Sequence, residues 1–181
     1  MEKVIFPLYL LPPTAYFKAM LSFDVVYLSL GEPFKKQTKR SRFEIMSPNK
    51  RHTLSVPLQK GKSNFSMKDV QISYEEDWQR KHWQALVTAY SASPFFEYFD
   101  YDLKPLFMSK AENLYEYNSS LLQWCFQKLK IQTQVHLTDE LPNAFGLIEG
   151  QKIQSYDQVF MEKHGYMSDL SILDWIFNVG V

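Results

Sequence analysis

The sequence predicts an α/β fold, or the related α+β arrangement, in a single domain over residues 1–181. An apolar run, an amphipathic helix and a second apolar run follow one another over residues 4–28, which is the pattern of a βαβ unit. Longer segments with helical periodicity come later, and we expect them to pack against a mixed sheet. The 181 residues are 45% hydrophobic, which suits one domain with one sizeable core.

The N-terminal unit is predicted in three parts. Residues 4–11 are apolar and end at Pro12-Pro13, as in a buried strand that leads into a turn. Thr14 then caps a helix whose apolar side reaches Met20. Residues 25–28 are β-branched, aromatic or apolar and form the second strand.

The next segment is strongly basic. Residues 35–62 contain nine Lys or Arg residues and one acid, Glu44, so this segment carries a formal charge of +8 in a chain of net charge zero. Residues 43–46 and 52–58 are predicted to pair as a hairpin around a turn at 47–50. Residues 60–64 are predicted to form a polar loop, and residues 70–72 a short strand.

The second half is predicted to be mainly helical. Apolar residues at helical spacing mark a helix from Trp78 to Tyr90, which Pro94 prevents from continuing into the aromatic run at 95–99. Further predicted elements are a helical turn at 103–108, a helix from 112 or 113 to 129, a strand at 133–137 and a last helix at 170–177 capped by Ser168 or Asp169. The long loop at 139–165 is interpreted as a possible functional lid.

Common signature motifs are absent from the sequence. There is no P-loop, GxGxxG, HExxH or CxxC motif, and the four histidines are widely separated, so we predict no metal site and leave the cofactor open. The single cysteine, Cys125, excludes an internal disulfide and is interpreted as inert packing. No apolar run approaches the roughly 20 residues of a membrane span, so a cytoplasmic protein is expected.

The basic stretch at 35–42 is the leading candidate for a binding site. Arg40 and Arg42 lie on the same side of an extended chain, and two guanidinium groups suit a phosphate or carboxylate. A solvated loop is the equally weighted alternative. His82 is a candidate acid/base, although a core histidine fits its apolar neighbours at least as well. Nucleic-acid binding is disfavoured because the aromatic residues lie far from the basic run.

Several segments, taken together and in order, resemble the WbqC-like family in its Bacteroidetes-type variant. The segments that carry this resemblance are LLPPTAYF at 10–17, KQTKRSR at 36–42, LSVP at 54–57, MKDV at 67–70, residues 78–90, PFFEY at 94–98, LSILD at 170–174 and FNVG at 177–180. Two departures stand out. Ser41 replaces an asparagine of the family pattern, and Val179 replaces a glutamate that relatives usually carry near the C-terminus.

The resemblance implies an accessory enzyme of cell-surface polysaccharide biosynthesis of the O-antigen type. In that interpretation an anionic substrate, a phosphorylated or nucleotide-linked sugar, is held by Lys36, Lys39, Arg40 and Arg42, with His82 as acid/base and Asn178 orienting the substrate. Transfer of a small group to an amino sugar is the related reaction. A non-catalytic binding or scaffold protein of a polysaccharide gene cluster is the alternative, favoured by Val179. The oligomeric state is left open.

Overall fold

The computed structural model describes residues 3–60 and 65–181, so residues 61–64 of the predicted polar loop lie outside the described residues. The N-terminal βαβ unit is confirmed: β1 covers Ile5–Pro7, α1 covers Thr14–Met20 and β2 covers Val25–Ser29, and the two strands pair in parallel. The first strand is shorter than predicted. Its apolar continuation, with Leu8 and Leu10, is buried against the core without strand pairing.

Two sheets divide the strands of the described residues. The strand β5 at Gln134–Thr138 adds to the free side of β2, so the parallel sheet has the order β1-β2-β5. The predicted hairpin is confirmed as β3 at Arg42–Ser47 and β4 at Lys50–Ser55, which form a separate antiparallel sheet. The α/β class is therefore confirmed, with the parallel and antiparallel pairings in different sheets.

Three long helices follow: α2 at Trp78–Tyr90, α3 at Phe96–Met108 and α4 at Leu114–Lys128. The bounds of α2 match the periodicity of the sequence. In contrast, the aromatic run and the predicted turn at 103–108 form one continuous helix, α3, with Pro105 inside it. The residues that α3 buries recur at intervals of three or four, and these are Phe96, Phe99, Leu103 and Phe107. Burial of this apolar stripe favours the helix over the local effect of the proline.

The C-terminal part is less regular. Within the predicted loop at 139–165 lie two short helices, α5 at Phe145–Glu149 and α6 at Met161–His164. The last helix, α7, covers Ile172–Val179, and its N-terminal cap is Ser171, whose hydroxyl accepts from the amide of Leu173 at 3.3 Å. Asp169 instead adopts a left-handed conformation with φ of 61°. In place of the predicted strand at 70–72, Gln71 and Ile72 each form an isolated bridge.

Aromatic side chains dominate the core. Phe177 of α7 packs against Tyr90 of α2 and Phe96 of α3, with both pairs of ring centroids 5.1 Å apart. Cys125 is fully buried in α4, and burial raises the pKa of its thiol well above the usual range. An inert packing role for this cysteine follows. No helix in residues 3–60 and 65–181 is both long and apolar enough to cross a membrane.

Candidate functional site

Two neighbouring cavities lie beside residues 8–13, which follow the carboxyl end of β1. We call one the cationic cavity, because Lys39, Arg40 and Arg42 line it; its volume is about 420 Å³. The other is the tyrosine cavity, which has a volume of about 470 Å³ and is lined by Tyr9, Tyr156 and Tyr166, among other residues. The two share four lining residues, namely Tyr9, Pro13, Lys39 and Asp169. This is the edge at which open α/β sheets bind ligands.

The basic stretch at 35–42 is anchored to the core by its backbone. The amide of Leu10 donates to the carbonyl of Lys39 at 2.8 Å, and the side-chain amide of Asn118 donates to the carbonyl of Arg40 at 2.8 Å. Asn118 is itself completely buried in α4. The segment is therefore not a free solvated loop, and its side chains project from a defined backbone.

Arg40 forms a buried ion pair with Glu32, which lies just beyond β2. Their side chains are only 8% and 6% exposed. The guanidinium group also donates to the hydroxyl of Thr38 at 3.3 Å and lies 5.6 Å from the ring centroid of Tyr9. The charge of Arg40 is thus already balanced by Glu32, so this residue shapes the wall of the cationic cavity.

Lys39 and Arg42 are more accessible than Arg40. Lys39 pairs with Asp169 at 2.6 Å, and both residues of this pair line both cavities. Arg42 begins β3, is half-buried and makes no ion pair with any residue of 3–60 or 65–181. Glu44, on the same face of β3, pairs with Arg51 instead. Arg42 is therefore the cation in this cavity best placed to receive an anion.

A buried carboxylate lies behind the tyrosine cavity. Asp174 of α7 has no exposed surface and accepts hydrogen bonds from the hydroxyls of Tyr90 and Tyr156, both at 2.8 Å, and from the amide of Gln158 at 2.7 Å. Burial raises the pKa of Asp174, while the three hydrogen bonds oppose that shift. Since Tyr156 also lines the tyrosine cavity, Asp174 holds part of its wall in place.

The model of the WbqC-like protein family matches residues 8–149, which is most of the chain. The protein belongs to the WbqC-like protein family. Neither the curated proteins nor the solved structures give a match. The matched range includes Tyr9, Lys39 and Arg42 and ends before the C-terminal part of the tyrosine cavity.

Two predicted site residues of this WbqC-like protein lie away from both cavities. Lys36 is exposed and lines a separate cavity of about 230 Å³, together with Phe34 and Phe65. Asn178 ties α7 to the preceding loop, since its oxygen accepts from the amide of Val159 at 3.1 Å and its nitrogen donates to the carbonyl of Asp174 at 2.7 Å. Their roles in substrate binding stay predictions.

His82 lies in the core of the WbqC-like fold. Its ring centroid is 5.1 Å from that of Trp78 and 5.9 Å from that of Phe43, and the residue is 5% exposed. Burial lowers the pKa of His82 to about 4, and the nearby His52 adds to this shift while the backbone of Ser55 opposes it. His82 lines neither cavity. Its predicted acid/base role stays a prediction, and its surroundings are those of a core histidine.

The WbqC-like site therefore joins predicted and unpredicted residues. Lys39, Arg40 and Arg42 line one cavity, and their role in binding stays a prediction, whereas Glu32 and Asp174 were not among the predicted residues. Asp174 gave a usable signal, because a carboxylate inside a largely apolar helix needs partners when it is buried. Glu32 gave none, since it is one acid among twenty. Residues 3–60 and 65–181 contain no group of three or more His, Cys, Asp or Glu side chains arranged to hold a metal ion.

Proposed function

We propose that this WbqC-like protein binds an anionic sugar derivative, a phosphorylated or nucleotide-linked sugar, in the cationic cavity. One observation carries the proposal: Lys39, Arg40 and Arg42 line a single cavity of about 420 Å³. That volume lies within the range of small-molecule sites. Guanidinium and ammonium groups are the usual partners of phosphate oxygens in proteins.

The cations contribute unequally. Arg42 offers a guanidinium fork that carries no carboxylate partner among the described residues. Lys39 becomes available if Asp169 is displaced, and an exposed pair of this kind contributes only about 0–1 kcal/mol. Arg40 adds positive potential from behind but keeps Glu32 as its partner. Binding is therefore expected to depend most on Arg42, then on Lys39.

The family name points to a polysaccharide-related gene cluster, so we place this binding in the assembly of cell-surface polysaccharide. The enzymatic form of the proposal is a transferase that acts on a nucleotide sugar or an amino sugar in the cytoplasm. The non-catalytic form is favoured by one observation. The carboxylates that line the cationic cavity, Glu44 and Asp169, are both ion-paired, and His82 lies elsewhere, so within the described residues a carboxylate can act there as a general base only after its ion pair opens.

Calorimetric titration tests the proposal. Inorganic pyrophosphate and uridine diphosphate glucose are the probes, and the proteins are the wild type, Arg42→Ala and the control Arg80→Ala. Arg80 is 70% exposed on α2, so the control removes the same charge from a distant surface. Loss of a charge-assisted hydrogen bond of about 1.5–3 kcal/mol corresponds to roughly 10- to 150-fold weaker binding for Arg42→Ala.

The control should bind both probes as the wild type does. Equal affinity of the Arg42→Ala and Arg80→Ala proteins would remove the cationic cavity as the binding site. Following the sugar nucleotide by NMR in the same samples separates the two forms of the proposal. With glucosamine added as an acceptor amino sugar, formation of its glucosylated product together with uridine diphosphate supports the transferase, and unchanged probe under saturating binding supports the non-catalytic protein.

A further inference from the structure

We infer that the tyrosine cavity is a second subsite, which takes the glycosyl ring of a glycosyl phosphate while its phosphate lies in the cationic cavity. This inference rests on the proposed function and extends it. The predicted anion-binding residues all lie outside the tyrosine cavity, apart from Lys39, which lines both cavities.

The two cavities are close enough for one ligand to enter both. Tyr9, Pro13, Lys39 and Asp169 line each of them, so the two cavities adjoin along these four residues. Both side chains of the Lys39–Asp169 pair are about half exposed and are free to separate at small cost. A glycosyl phosphate places its ring one oxygen atom from its phosphorus, which fits cavities that share a wall.

The charges of the cavities differ in sign. The cationic cavity has three basic side chains against the carboxylates of Glu44 and Asp169. The tyrosine cavity has Lys39 against the carboxylates of Glu149 and Asp169. A phosphate is therefore attracted to the first cavity and disfavoured in the second, and the ligand has one fixed orientation.

The lining of the tyrosine cavity suits a ring that carries hydroxyl groups. Tyr9, Phe145 and Tyr166 supply aromatic surface for the apolar face of such a ring. Ionised carboxylates only accept hydrogen bonds, so Glu149 and Asp169 are matched to hydroxyl donors. Small-molecule sites in proteins generally combine an apolar and aromatic lining with a few polar groups.

The walls are held in defined positions from several elements. The hydroxyl of Tyr156 is fixed by Asp174, and α5, which carries Phe145 and Glu149, packs against α1. Three non-glycine residues with positive φ line the two cavities, and these are Leu11 at 42°, Gln37 at 61° and Asp169 at 61°. Strained backbone of this kind is concentrated at ligand sites in proteins.

Calorimetry with two probes tests the subsite. The probes are inorganic phosphate and, from a panel of glucose, galactose and N-acetylglucosamine 1-phosphates, the sugar phosphate that binds most tightly. The test variant is the double substitution Phe145→Ala/Glu149→Gln. The matched control is Leu147→Ala, because Leu147 is 41% exposed on the same helix α5 and lines neither cavity. Circular dichroism melting checks that each variant is folded.

We expect the sugar phosphate to bind the wild type at least tenfold more tightly than phosphate does. The double variant should bind the sugar phosphate about tenfold more weakly than the wild type does and should bind phosphate with unchanged affinity. The control should bind both probes as the wild type does. Equal affinity for both probes in the wild type, or a double variant with unchanged sugar phosphate affinity, overturns the subsite. If Arg42→Ala still lowers the affinity for both probes, the proposed function survives even when the subsite is overturned. If Arg42→Ala leaves the affinity for both probes unchanged, the proposed function and the subsite both fail.

Discussion

Lys39 and Arg40 are neighbours in the sequence, yet their ion pairs differ sharply. The Lys39–Asp169 pair has side chains that are 42% and 53% exposed, whereas the Arg40–Glu32 pair has side chains that are 8% and 6% exposed. Water can replace either partner of the first pair, but not of the second. The basic run thus contains one residue that belongs to the structure and one that is available to a ligand.

The same division applies to the whole site. Groups behind the cavities, such as Glu32 and Asp174, are buried, and each accepts at least one hydrogen bond from a buried side chain, although Oε1 of Glu32 has no partner among the described residues. They therefore affect stability more than binding. Groups in front, such as Lys39, Arg42 and Glu149, are partly or fully exposed, so they affect binding more than stability. Substitutions in the two layers give different measurable effects.

The largest effect is expected for Arg40→Ala. This change leaves Glu32 as a buried charge without its partner, and such losses cost about 3–5 kcal/mol of unfolding free energy. Urea unfolding followed by circular dichroism measures it. Arg42→Ala is the control, and because Arg42 is half-buried and forms no ion pair in the described residues, we expect a change within about 0.5 kcal/mol. Similar losses of unfolding free energy for both arginine substitutions would contradict this distinction between buried and exposed groups.

The next largest effect is expected for Asp174→Ala, which should lower the free energy of unfolding by about 2–4 kcal/mol. The change leaves the hydroxyls of Tyr90 and Tyr156 without their acceptor, and each buried donor without a partner costs about 1–3 kcal/mol. The side-chain amide of Gln158 keeps the carbonyl of Met167 as an acceptor at 2.9 Å. Removal of a buried carboxylate offsets part of that cost, since burial disfavours its charge. The same urea experiment applies. Asp157→Ala, at an exposed neighbouring position, should be close to neutral.

His82 shows what burial does to a titratable group that forms no ion pair within residues 3–60 and 65–181. Its pKa falls from 6.5 to about 4 in the folded protein, so the unfolded chain binds more protons between these pH values. Stability should therefore decrease as the pH falls from 6.5 towards 4, by about 3 kcal/mol at most. In urea unfolding across this range, His82→Gln should lose that dependence, and a change at the exposed and distant His136, His136→Gln, should keep it. An unchanged dependence in His82→Gln would show that other groups cause it.

The smallest effect is expected for Lys39→Met. Its ion pair with Asp169 is exposed, so we expect less than about 1 kcal/mol of destabilisation, decreasing further with added salt. Comparison of the midpoints of urea unfolding at low and high salt measures this. A loss as large as that of Arg40→Ala would mean that Lys39 belongs to the buried layer.

Local patterns in the sequence were sufficient for much of the fold. The βαβ unit, the hairpin and α2 were predicted because apolar spacing and proline positions act over a few residues. The continuity of α3 through Pro105 was not predicted, because contacts of its apolar stripe with other elements favour the helix. The position of β5 beside β2 also depends on residues far apart in the chain.

The sequence alone determined that this protein has an α/β fold, a concentrated basic segment and a place in the WbqC-like family. Only the tertiary structure decided which basic residue is buried and which is exposed. Burial of Arg40 depends on Glu32 and Tyr9, and the partner of Lys39 lies 130 positions away at Asp169. The energy of a charge depends on the dielectric surroundings and partners that distant segments supply, and no local pattern records them.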